Sequence, residues 1–171
     1  MGSPSYHLWL NPTDSAYDLL AETIRQLAHE LGAPVFEPHV TLLGHLEGSE
    51  QDHVERTQQL VRELQPFKVV LSEPPYQNEY FHCLFMRVQQ TPAVMNTNAL
   101  ARRVFRRSYE AYMPHLSLVY GLYPEARKKE VIARLRPDVR TSFEVSDVYL
   151  IKADSGDPKH WHEILIAPMS R

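Results

Sequence analysis

The chain has 171 residues, 43% of them hydrophobic and 23% charged, with a formal net charge of -3. That length and balance fit one soluble compact domain, and no apolar run reaches the length a bilayer span demands. The slight acidity argues against a long phosphate track, so no long nucleic acid is expected as a partner, and Cys83, the single cysteine, excludes an intrachain disulfide and a cysteine-rich zinc site.

In chain order, the start MGSPSYHLWLNP lacks the charged head and long apolar stretch of a secretory signal, which together with the lone cysteine points to the cytoplasm. YHLWL reads as a strand. Between Asp14 and Gly32, Tyr17, Leu20, Ala21, Ile24, Leu27, Ala28 and Leu31 fall at helical spacing, with Asp14 or Ser15 as cap and Gly32 as stop. HVTLL is a strand, 49–64 a helix and FKVVL a strand. YFHCLFMRV is a strand leading into a helix over 93–109. HLSLVY is a strand, 125–135 a helix bracketed by Pro124 and Pro137, and FEVSDVYLI and HEILIA close the chain as strands.

The second half of that order repeats the first. PHVTLLGHL begins at Pro38 and PHLSLVYGL at Pro114; Pro, His and two Leu positions are identical, and Val40/Leu116, Thr41/Ser117 and Leu43/Val119 exchange like for like. An internal duplication is the economical explanation. It predicts an α+β protein, bilobal and internally duplicated, with antiparallel sheets flanked by helices around a central cleft. Residues 1–171 are expected to form a single two-lobed domain, with the twin motifs at 39–42 and 115–118.

On a strand, alternate side chains share a face, so His39 and Thr41 point one way while Val40 and Leu42 enter the core. His115 and Ser117 have the same relation. A two-fold arrangement would aim both polar faces at one cleft, with two imidazoles able to give and take protons near neutral pH and two hydroxyls suited to phosphate oxygens. A lone strand histidine is more often a surface or satisfied core group, and it is the repetition in register that favours function.

HVTL and HLSL match the paired His-x-Thr/Ser-x signature of the 2H phosphoesterase superfamily, and YMPHLSLVYG with LWLNP resembles its cyclic phosphodiesterase branch. The resemblance implies metal-independent hydrolysis, without a cofactor, of 2',3'-cyclic nucleotides or of ADP-ribose 1'',2''-cyclic phosphate to a phosphomonoester. By motif position His39 and His115 would be the proton carriers, His115 as base and His39 as acid, and Thr41 and Ser117 the phosphate donors. Tyr120 and Trp9 would approach the substrate, or else serve as core aromatics. The partner implied is a small cyclic-phosphate nucleotide, handled by a monomer. RNA-end processing, as an exonuclease or 2',5'-linkage enzyme, and a non-catalytic nucleotide-binding module are the rival readings.

Three further groups stand out. Arg102, Arg103, Arg106 and Arg107 would gather along one side of a helix, as a solvated face or as a diphosphate contact. His45 and His82 are candidates for the cleft lining. His160 and His162 share a face of an extended segment, but no third ligand is near in sequence, so they are read as surface.

Overall fold

The computed structural model describes residues 5–170; the first residues of the chain, part of the segment read for a secretory signal, lie outside them. Strand β1 (Ser5–Leu10), helix α1 (Asp14–Leu31), β2 (Val40–Leu46), α2 (Glu50–Arg62) and β3 (Phe67–Val70) form the first half. In the second, β4 (Leu84–Arg87), α3 (Pro92–Val104), β5 (His115–Val119), α4 (Glu125–Arg134) and β6 (Ser142–Val145) repeat that order, and β7 (Asp147–Ala153) and β8 (Trp161–Pro168) follow. The protein is α+β: the six strands β4-β5-β2-β1-β7-β8 make one antiparallel sheet, and β3 pairs with β6 in a second. Among the described residues no helix is long and apolar enough to cross a membrane.

The two motif strands are neighbours at the middle of the large sheet, joined by one registered pair, Val40 with Leu116. Continuing outward, Leu116 faces Met86 on β4 and Val40 faces Leu10 on β1. These four side chains are fully buried and form an apolar row beneath the helices. Each half's helix covers the other half's motif strand, α1 lying on β5 and α3 on β2. Pleating then turns Trp9, Thr41 and His115 to the opposite face, where the cleft opens.

The register between β1 and β2 shifts twice, between Tyr6 and Leu8 and between Leu8 and Trp9. A bulge leaves ladder carbonyls without strand partners. Side chains supply the missing donors: Asn98 Nδ2 on α3 donates to the Leu42 carbonyl at 2.7 Å, and the Tyr112 hydroxyl donates to the Thr41 carbonyl at 2.9 Å. The bulged motif strand is thereby tied to the second half of the chain.

Three elements differ from the sequence expectation. Helix α3 stops at Val104, five residues short of 109, because Arg106 adopts a left-handed φ of 53°. The N–H of Arg107 then reaches the Arg102 carbonyl and that of Arg106 the Arg103 carbonyl. This is a Schellman closure with arginine where glycine usually signals it. FEVSDVYLI is two strands in two sheets, divided at Ser146, whose carbonyl accepts the Met169 N–H. The first part of YFHCLFMRV is a turn, and only Leu84–Arg87 pairs as a strand.

On α2, His53 is buried against Tyr6 and Phe105, and neither ring nitrogen has a hydrogen-bond partner. Burial pushes its pKa below the ordinary imidazole value. The unfolded ring therefore takes up a proton at a higher pH than the folded one, so stability falls as pH drops through about 6.5. His53→Phe, which removes two unsatisfied polar atoms, should stabilise the protein by about 1 kcal/mol. Thermal melts should show a larger gain at pH 5 than at pH 8; an equal gain at both would contradict this account.

Candidate active site

Both motif histidines are fixed by the residue two positions earlier. His39 Nδ1–H donates to the Glu37 carbonyl at 2.7 Å, and His115 Nδ1–H to the Met113 carbonyl at 2.9 Å. The intervening Pro38 and Pro114 explain why the motifs begin with proline. Proline fixes its own φ and holds the preceding residue extended, which presents that residue's carbonyl to the ring. With Nδ1 committed, Nε2 is the nitrogen left to exchange protons in each ring. Glu37 is itself anchored, its carboxylate accepting the Tyr17 hydroxyl of α1.

His39 is 6% exposed. Trp9 stacks on it, with ring centroids 3.6 Å apart and planes at 10°. Trp9 is also the registered partner of Thr41 across β1 and β2, so the stack locks the acceptor strand and the ring together. Burial pushes the His39 pKa down to about 3, opposed by its bond to the Glu37 carbonyl and helped by the nearby His115 and His7. His115 is also lowered, by burial first and then by His82, against the pull of the Met113 carbonyl. Both imidazoles are therefore neutral in the protein alone at neutral pH, and a neighbouring anion would favour their protonation.

The two hydroxyls differ. Thr41 Oγ1 has no hydrogen-bond partner among the described residues, whereas Ser117 Oγ donates to the Phe81 carbonyl at 3.1 Å. Antiparallel continuation of the Val40–Leu116 pair sets Thr41 across from His115 and His39 across from Ser117. Tyr120 is buried, stacked on Phe36 at 3.9 Å, and its hydroxyl is held above the ordinary tyrosine range by burial.

These groups line one cleft of about 740 Å³, a volume suited to a small ligand. His39, His115, Thr41, Ser117, Tyr120 and Trp9 all reach it, as do His45 and His82. Its walls are unequal. Tyr80, Phe81, Tyr120 and Trp161 make an aromatic side, while His7, His45, Arg102 and Arg107 contribute to the remainder. Across the top, a Cβ added at Gly156 in the β7–β8 turn would lie 3.4 Å from the Phe81 ring, so the two rim loops meet.

The four arginines do not share a side. Once α3 stops at Val104, Arg102 and Arg107 reach the cleft, Arg103 turns away to Glu63 at 2.9 Å, and Arg106 is exposed at its left-handed position. Arg102 is partly engaged by Asn98 and the Ser108 carbonyl, and Arg107 donates to the His45 carbonyl at 2.7 Å. His160 and His162 stay outside the cleft, beside Ser155 and Asp154, as the surface reading expects. Among the described residues no three His, Cys, Asp or Glu side chains gather as a metal-holding group.

Sequence reasoning missed Trp161, His7 and Tyr112. The signal for Trp161 was present: if His160 and His162 face outward on an extended segment, the residue between them faces inward. Trp161 packs edge-on to Trp9 at 5.5 Å and to Tyr120 at 6.0 Å.

The fold and the sequence have known counterparts. The apo form of E. coli LigT superposes with a TM-score of 0.69 at 15% identity, over 99% of this chain and 100% of that one. TT0787 of Thermus thermophilus gives 0.67 at 16% identity, over 96% and 97% of the two chains. A cyclic phosphodiesterase of Arabidopsis thaliana is 23% identical across 96% of this chain and 95% of its own length. A 2',3'-cyclic-nucleotide 3'-phosphodiesterase of Yarrowia lipolytica is 25% identical across 81% and 85%. The family model described as cyclic phosphodiesterase-like protein matches residues 1–155, and the chain belongs to that family.

Proposed function

We propose that the chain hydrolyses 2',3'-cyclic nucleotides to 2'-phosphomonoesters, using His39 and His115 as the proton carriers. The observation that carries this is the shared tethering of both rings: each Nδ1 is fixed to a carbonyl, which leaves two Nε2 atoms for one cleft. The name of the Yarrowia lipolytica relative supports the substrate. Water attacks phosphorus in line with the 3' oxygen. His115 Nε2 accepts the water proton, a new P–O bond forms, the P–O3' bond breaks, and His39 Nε2–H protonates the departing oxygen. Thr41 and Ser117 donate to the phosphate oxygens, Ser117 by turning from the Phe81 carbonyl. Tyr120 and Trp9 shape the pocket, Trp9 by holding the His39 ring in place. The whole chain acts as one two-lobed unit, a monomer of the cytoplasm.

A second substrate, ADP-ribose 1'',2''-cyclic phosphate, is favoured by Arg107 and Arg102 in the same cleft as the catalytic pair. A diphosphate needs such a cationic patch. If this holds, Arg107→Gln lowers kcat/KM for the diphosphate substrate about tenfold more than for a 2',3'-cyclic mononucleotide. Equal losses on both would remove the second substrate and leave the first.

The direct test is turnover of a 2',3'-cyclic nucleotide by purified protein in the presence of chelator. Activity is expected to persist and to follow a bell-shaped profile of kcat/KM against pH. The acid limb arises when the base gains a proton and the alkaline limb when the acid loses one. Both imidazoles are lowered in the free protein, so the bell should sit on the acid side of about pH 6.5. Activity lost to chelator and restored by a divalent metal, or a bell centred above pH 7, contradicts the mechanism.

The division of roles has its own test. A substrate with sulfur in place of the 3' oxygen has a leaving group that needs no proton. His39→Ala should recover most of its activity on that substrate while His115→Ala stays impaired by about 10²- to 10⁴-fold. Rescue of the His115 variant alone reverses the assignment.

A further inference from the structure

The segment between β3 and β4 brings a further imidazole to the cleft, beside His115. His82 lies edge-on to His115, with ring centroids 4.6 Å apart and planes at 60°. Its Nδ1–H donates to Glu79 Oε2 at 2.8 Å, so the carboxylate fixes the ring's rotation and leaves Nε2 as the free nitrogen. The backbone around it is also held. Ser117 Oγ donates to the Phe81 carbonyl, and the Gly121 N–H donates to the Tyr80 carbonyl at 3.0 Å. Phe85 packs against both rings, with centroids 5.9 Å from His82 and 5.2 Å from His115, and so holds the two imidazoles side by side.

We propose that His82, aimed by Glu79, is a positioning residue that sets the working proton occupancy of His115. The inference rests on His115 being a proton carrier in cyclic phosphate hydrolysis. A positive charge on His82 opposes a second one on His115 at this distance, and its field joins burial in disfavouring the His115 cation. The other charged or titratable groups around His115 are Arg87, its cross-strand partner on β4, and His39 from the β2 side. Arg102 and Glu110 line the same cleft, paired with each other at 3.5 Å. An anionic phosphate pulls protons onto every imidazole near it. His82 offsets that pull at His115, which stays neutral and able to accept the proton of water.

The test follows the histidine ring signals of isotope-labelled protein by NMR across pH, beside kcat/KM profiles, in wild type, His82→Gln and His82→Lys. The His82 side chain is 31% exposed, so both replacements can be accommodated. In His82→Gln the His115 midpoint should rise by roughly 0.5–1 unit. One limb of the rate profile should move with it, the other staying in place. In His82→Lys the fixed positive charge should keep the midpoint at or below the wild-type value. A His115 midpoint unmoved in His82→Gln overturns the proposal, whatever happens to the rate, because a purely structural role lowers activity without changing His115. A raised midpoint with an unmoved rate profile supports the coupling and counts instead against His115 as a proton carrier in the reaction.

Discussion

One backbone pairing, Val40 with Leu116, holds the two halves of the large sheet in register. Everything at the cleft follows from it. A slip of one residue in either strand would exchange core and cleft faces, carrying Val40 or Leu116 into water and His39 or His115 into the apolar layer. The row Met86, Leu116, Val40 and Leu10 makes such a slip costly, since each of these side chains is fully buried and worth about 1.5–3 kcal/mol in that position. A short seam therefore sets the relative position of two imidazoles that come from distant parts of the chain, and α1 and α3, each lying on the other half's strand, clamp it from behind.

The electrostatics of the cleft are those of a place waiting for an anion. Its two motif imidazoles are held neutral by enclosure, each with one nitrogen already committed to a carbonyl. Neutral rings cost little to bury, whereas two imidazolium ions side by side would be expensive. A phosphodiester brings the compensating charge with it. On the proposed reading, such a site would gain a proton with its substrate, which suits chemistry in which one ring must hold a proton while the other lacks one.

How far the sequence spoke for itself depended on whether the governing interaction was local. The twin motifs were legible because strand alternation and repetition are properties of the string. The long helix α1 was legible because its apolar positions recur at helical spacing and Gly32 closes it in the left-handed conformation with φ of 65°. The end of α3 was not, because Arg106 adopts that conformation without the glycine that normally announces it. The break at Ser146 was hidden since both flanking runs are good strand formers and only the tertiary pairing, β6 with β3 and β7 with β1, separates them. In the cleft, which side chain meets which was the illegible part, although Trp9 was named and the inward turn of Trp161 could be read from alternation. Nothing short-range joins Trp9 to His39, or Trp161 to either, and the Glu79–His82 contact gains its interest only from His115 lying beside it.

The chain has two tryptophans, and both stand at this cleft, Trp9 flat against His39 and Trp161 edge-on to both rings. All of the protein's indole emission therefore originates within contact of one candidate proton carrier. An imidazolium quenches an excited indole that it faces, while neutral imidazole does so far less. The stack that orients His39 is in consequence a built-in optical gauge: the brightness of the unlabelled protein would report whether that ring holds a proton, and, on the proposed reading, a phosphate analogue that draws a proton onto it would dim the molecule as it binds.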